Sequence, residues 1–275
     1  MINNQCLIDV LFKGSSLVHT EQPRDLDRRV GTRTANIRTG YTLFLDSMRS
    51  PKPPIDLTKY PIPRVRHHVS PQVYLPETQQ HIRPAWYPPV IESLDWGRIF
   101  RNGAPPRVLD IGCGRGGFLL EHALHVPDVN ILGLEVREVL VDWINSVIDG
   151  ENVPNARALW YTVANGLQWI DSGSIDYAVY LFPDPWPKKR HHKRRLFSSV
   201  FLDELQRILV PQGKLFLATD VEEVDAYQRS VIAHHGRFTI SDLDNASWPF
   251  PFTTDQQRFC HRKHIPYKLM VATLA

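Results

Sequence analysis

The stretch Asp110-Ile-Gly-Cys-Gly-Arg-Gly-Gly117, set between a short apolar run and an apolar-periodic segment, constrains the fold more than any other part of the chain. Glycine at such a turn permits positive φ and lets the backbone come close to a ligand. Arg107–Ile111 (RVLDI) before it reads as a buried strand, and the spacing after it predicts a helix from Phe118. The pattern then recurs. Ile131–Glu135 (ILGLE) reads as the second strand, with helical spacing over Val139–Ile148. Ala158–Tyr161 and Tyr177–Phe182 read as strands three and four, and Leu215–Ala218 as the fifth, ahead of a helix near Glu222–His234. Phe238–Ile240 and Tyr267–Thr273 read as late strands with no evident helix between them. Strands alternating with helices imply a parallel sheet covered on both faces. No internal repeat competes with that architecture.

Proline marks the domain boundary. Ten of the 22 prolines fall between Pro51 and Pro89, and proline lacks an amide donor and biases its predecessor toward extended geometry. Residues 1–60 therefore read as a poorly ordered extension, and 61–275 as the folded domain with an irregular lead-in over 61–95. The net charge of +3 resides in residues 1–60, which hold nine basic and six acidic side chains, while the rest of the chain is balanced. A nucleic-acid partner must then be argued from a local cluster. Cys6, Cys113 and Cys260 form neither an even disulfide set nor a paired zinc-ligand pattern. They suit a reducing cytoplasm and imply no structural metal. No run approaches the roughly 20 apolar residues of a membrane span. Charge inside the first apolar stretch argues against a secretory signal.

The glycine pattern at Gly112, Gly114 and Gly117 also fits a nicotinamide-dinucleotide fingerprint, so taken alone it is weak. Two acids shift it toward S-adenosylmethionine. Asp110 at the end of the first strand can bind the methionine ammonium, and Glu135 at the end of the second can accept both ribose hydroxyls. Together they resemble the class I methyltransferase signature. Strand four leads into Leu181-Phe-Pro-Asp184-Pro-Trp186-Pro-Lys188 and on through Arg195, a run in which Lys188–Arg195 holds six Lys/Arg and two His. Charge runs usually form a solvated face, but this one directly follows a strand end where α/β sheets bind ligands, which suits phosphate contacts.

LFPDPWPKKRHHKRR resembles the hallmark of the bacterial tRNA (guanine-N7-)-methyltransferase family, and VRHHVSP (Val65–Pro71) with LDIGCGRGGFLLE resembles its cyanobacterial form. The resemblance spans about Arg64 to Thr273. It implies a Rossmann-like class I methyltransferase fold, a mostly parallel seven-stranded sheet with helices on both faces and an antiparallel last strand. It also implies methyl transfer from S-adenosylmethionine to guanine N7 in tRNA, in the variable region at position 46, without metal. By that similarity Asp110, Gly112, Gly114, Glu135, Asn165 and Asp184 would hold the cofactor, with Asp184 between cofactor and base. Lys188, Arg190, Lys193, Arg194 and Arg195 would contact tRNA, and Asp220 in LATDVEE would be the substrate-binding acid. The chain departs from the family twice. Val163 stands where the family has Asp or Asn, so Asn165 is the nearby substitute. The family's C-terminal Thr-x-x-Glu becomes Thr253…Gln256 or Thr254…Gln257, with the downstream register favouring Thr253 and Gln256. Those departures leave open a non-catalytic RNA-binding relative that kept the fold. A methyltransferase for protein or small molecules is the other alternative, and a small uncharged substrate would not explain Lys188–Arg195.

Overall fold

Apolar residues in the strands divide between two faces of one sheet, and that division sets the architecture. The computed structural model describes residues 54–65, 84–186 and 195–275. The chain divides into units 1–37 and 38–275, and every described residue belongs to the second. Its seven strands are β1 (Val108–Ile111), β2 (Ile131–Glu135), β3 (Ala156–Trp160), β4 (Ile175–Leu181), β5 (Leu209–Thr219), β6 (Phe238–Leu243) and β7 (Lys268–Leu274). They lie in the order β3-β2-β1-β4-β5-β7-β6. The pairs from β3 to β5 are parallel, and β7 runs antiparallel to both β5 and β6. This is the mostly parallel seven-stranded sheet with an antiparallel last strand that the sequence resemblance implies.

Alternation along each central strand explains why the strands read as continuous apolar runs. In β5, Leu215 and Leu217 face one core while Phe216 and Ala218 face the other. β1 and β4 divide likewise, with Val108, Tyr177 and Val179 on one side and Leu109, Ile111 and Ala178 on the other. A sheet buried on both faces needs helices on both. After the short turn α1 (Trp96–Ile99), α2 (Gly117–His125) and α3 (Glu138–Gly150) cover the first face, and α4 (Ser199–Ile208) and α5 (Glu222–His235) the second. α3 is helical because Leu140, Val141, Trp143, Ile144, Val147 and Ile148 recur at helical spacing and are all buried. Gly236 ends α5 in the left-handed conformation that glycine adopts without strain.

Two sequence expectations change. β5 begins six residues earlier than the apolar run suggested, because a bulge interrupts it: Leu209 pairs with Ile175, and pairing resumes at Lys214 opposite Tyr177. A helix, α6 (Asp255–Lys263), also lies between β6 and β7, where none was evident. Only Gln257 and Cys260 of α6 are buried, so it has no apolar stripe to read. Its signal is a capping box, in which the Thr254 side chain accepts from Gln257 N and the Gln257 side chain accepts from Thr254 N.

The expected extension over 1–60 lies outside the described residues as far as residue 53. Ile55 and Tyr60 rest against the core beneath α3. The Tyr60 hydroxyl donates to Glu151 Oε1 at 3.0 Å, and Trp143 Nε1 donates to the Tyr60 carbonyl at 3.3 Å. Tyr60 sits so close to Gly150 that a Cβ there would fall 2.2 Å from its hydroxyl. These contacts are worth about 1–2 kcal/mol together. A chain starting at residue 64 should therefore melt about 3–6 °C below one starting at residue 54. Equal melting temperatures by calorimetry would show that Ile55–Tyr60 adds nothing.

Candidate active site

The carboxyl ends of the parallel strands open into one cleft of ≈ 1260 Å³. It lies where the strand order reverses between β1 and β4, the place where open α/β sheets bind ligands. The glycine loop forms one wall. Gly112, Gly114 and Gly116 have φ of 73°, 60° and 72°, so glycine serves here by its conformation. Gly117, third in the sequence fingerprint, instead starts α2. A Cβ on Gly116 would also press on Ile144 at 3.1 Å, which ties the loop to α3.

Asp110 lines the floor of the cleft and is only 3% exposed. The amide of Leu119 bonds its carboxyl group, but Oδ2 is buried without a hydrogen-bond partner. Burial, reinforced by the charge of Glu135, pushes its pKa up to about 8. A buried acceptor with no donor destabilises the fold by about 1–3 kcal/mol, and a cationic amine would satisfy it. This atom fits the methionine end of the expected cofactor.

Glu135, equally buried, is already paired. Oε1 accepts from Arg137 N at 3.0 Å and Arg137 Nε at 2.8 Å. Oε2 accepts from Gly114 N at 2.9 Å and Arg137 Nη2 at 3.2 Å. A carboxylate offers about four lone-pair sites, so the expected ribose contact requires Arg137 to release at least one. Arg137 was absent from the sequence expectations, although a cation two residues beyond a strand-end acid was visible. Burial alone would lower its pKa, but the Glu135 pairing outweighs that and Asp184 adds its charge, so the guanidinium is held above its ordinary value.

The other expected residues divide. Asp184 lines the cleft, in a turn flanked by Phe182 at φ 50° and Trp186 at φ 43°. Asp220 lines it too, and accepts from Gln256 Nε2 at 2.9 Å. Thus Gln256 does reach the site, whereas Thr253 is not on the cleft wall, where Thr254 and Asp255 stand instead. Asn165 lines the cleft, but its amide nitrogen donates to the carbonyls of Pro88 and Pro89 at 3.2 and 2.9 Å. It therefore secures the proline-rich lead-in, and only its oxygen is left for an adenine amino group. Arg195, expected at phosphate, turns inward here, its side chain 6% exposed and bonded to main-chain carbonyls. Lys188, Arg190, Lys193 and Arg194 lie outside the described residues. Among the described residues no group of three or more His, Cys, Asp or Glu could hold a metal ion, and no helix is long and apolar enough to cross a membrane.

A family model described as "Putative methyltransferase" matches residues 104–268. A tRNA (guanine-N(7)-)-methyltransferase of Thermosynechococcus vestitus is 37% identical over 200 residues, covering 71% of this chain and 87% of that protein. Its counterpart in Synechococcus sp. (strain JA-2-3B'a(2-13)) is 36% identical over 194 residues, covering 69% of this chain and 77% of the relative. Among solved structures, the 16S rRNA methyltransferase KamB superposes with a TM-score of 0.49 at 17% identity, over 67% of this chain and 95% of its own.

The raised pKa of Asp110 has a measurable sign. The folded protein keeps a proton that the unfolded chain releases between pH 3.8 and about 8, so ligand-free stability falls as pH rises across that window. A cationic ligand must meet the ionised form, so its affinity should weaken by about tenfold per pH unit below about 8. Calorimetric titration with S-adenosylhomocysteine should show this dependence, and Asp110→Asn should bind weakly at every pH. An affinity flat from about pH 6 to 8 would mean that Asp110 does not meet the amine.

Proposed function

Because the chain belongs to the tRNA (guanine-N7-)-methyltransferase family, we propose that it transfers a methyl group from S-adenosylmethionine to N7 of a guanine in tRNA, at position 46 of the variable region. The observation that supports this best is the meeting of Asp110, Glu135, Asp184 and Asp220 in one cleft, with the inner acid buried and short of a donor. When bound, S-adenosylmethionine supplies an electrophilic methyl group on a sulfonium.

Asp110 holds the cofactor's ammonium. The main chain of the glycine loop would line its methionine portion, and Glu135 would hold its ribose where Arg137 releases an oxygen. Guanine N7 carries a free lone pair in the neutral base, so no side chain need remove a proton before attack. The work left to the protein is alignment, with reacting atoms about 3 Å apart, and stabilisation of the positive charge that grows on the base. Asp184 and Asp220, both on the cleft wall, would accept from guanine N1–H and N2–H₂. Those two contacts select guanine over adenine and favour the cationic product. Gln256 donates to Asp220 and fixes its carboxylate. A glutamate there would put a second negative charge against Asp220, so this chain binds its base edge with one charge fewer.

Lys188, Arg190, Lys193 and Arg194 follow Asp184 closely in sequence, and we assign them to the tRNA backbone. A stacked base must leave its stack to reach the cleft, which suits a loop target. Nothing in the proposed reaction requires a metal, and the cytoplasm is the compartment that fits this substrate.

Incubation with labelled S-adenosylmethionine and bulk tRNA, followed by mapping of the methylated base, tests the proposal. Label should appear at guanine N7, and Asp184→Asn should lower its rate by about 100-fold or more. Label on another nucleotide, or on protein alone, would contradict the substrate assignment.

A further inference from the structure

We propose that Arg195 is a positioning residue, clamping the turn that carries Asp184 against α5. The proposal rests on the role given to Asp184 above.

The turn after β4 is short of main-chain donors. Pro183 and Pro185 have no amide hydrogens, and Phe182 and Trp186 on either side have left-handed backbone, at φ 50° and 43°. Such residues adopt that conformation only where their surroundings impose it. One anchor comes from β5, where the Ala218 carbonyl accepts from Phe182 N at 2.8 Å. Arg195 is a further anchor. Its Nε and Nη2 donate to the Pro185 carbonyl at 3.2 and 3.0 Å, and Nη2 reaches the Trp186 carbonyl at 3.4 Å. Nη2 also donates to Glu223 Oε1 at 2.7 Å, and the guanidinium lies 4.8 Å from the centre of the Tyr227 ring.

Glu223 and Tyr227 are four residues apart on α5, hence on one face of it. The Tyr227 hydroxyl donates to the carbonyl of Phe197, two residues past Arg195, at 2.9 Å. One helix face therefore holds both the guanidinium and the chain that presents it. The clamp joins Pro185 and Trp186 to Arg195 across the basic segment between them. Lysine is a poor replacement for arginine here, because its ammonium is a point charge without the planar fork that reaches two carbonyls and a carboxylate beside the ring.

A phosphate contact and a clamp respond differently to substitution. A phosphate contact tolerates lysine, and its removal raises KM for tRNA and flattens the salt dependence of binding. Loss of the clamp should lower kcat and leave ground-state binding alone. We therefore expect Arg195→Ala and Arg195→Lys in the full chain each to lower kcat by about 30-fold or more, with KM for tRNA, its salt dependence and S-adenosylhomocysteine affinity within about twofold of wild type. Should the alanine variant fail to fold, the lysine variant decides. Recovery of wild-type kcat by lysine, or a raised KM with a flattened salt slope, would overturn the proposal. Asp184→Asn is assayed in parallel. Wild-type activity there would remove the role of Asp184 and the proposal with it, whereas an inactive Asp184→Asn beside fully active Arg195 variants would overturn the clamp alone.

Discussion

A carboxyl group buried at the end of the central strand without a full set of donors is the constraint on which the site depends. Asp110 sits between Leu109 and Ile111, both packed into the core, and its own side chain turns to the cleft floor. Oδ2 is buried and has no hydrogen-bond partner in the protein. The group tolerates this by holding its proton well past the usual carboxylate range. The rest of the sheet makes that arrangement affordable: two apolar cores fix β1 on both faces, so the strand cannot shift to rehydrate the acid. What the fold leaves unsatisfied, a cationic ligand can complete.

Around that acid the cleft is built from pairs that the protein makes with itself. Glu135 is saturated by Arg137 and the Gly114 amide, Asp220 is bonded by Gln256, and the turn of Asp184 is held from α5 through Arg195. Each pairing fixes a carboxylate before substrate arrives, so less reorganisation remains for the reaction itself. The pairings differ in what binding must undo. Asp220 has lone pairs left for a base edge, but Glu135 can take ribose hydroxyls only by giving up donors. Arg137 also lies within the field of Asp184.

Much of this was legible in the sequence because burial on both faces leaves a simple signature. β1, β2 and the helices after them stood out as apolar runs and helical periods, and the glycine loop and strand-end acids followed from their places. The apolar rule failed where packing is not apolar. α6 buries a glutamine and a cysteine and is announced by its cap alone, and the bulge at the start of β5 carries proline, glutamine and glycine with no pattern of strand pairing. Side-chain partners were less legible still. Nothing local says that Asn165 spends its amide on Pro88 and Pro89, or that Arg195, last in a run of cations, turns inward to the main chain. Those outcomes depend on residues distant in sequence.

A crystal structure of the protein with S-adenosylhomocysteine tests the central claim most directly. The account predicts the ligand's amino group about 3 Å from Asp110 Oδ2. It also predicts the ribose on Glu135, with the Arg137 guanidinium withdrawn from at least one of its oxygens. A ligand bound away from Asp110, or a ribose held elsewhere while Arg137 keeps every bond to Glu135, would contradict it.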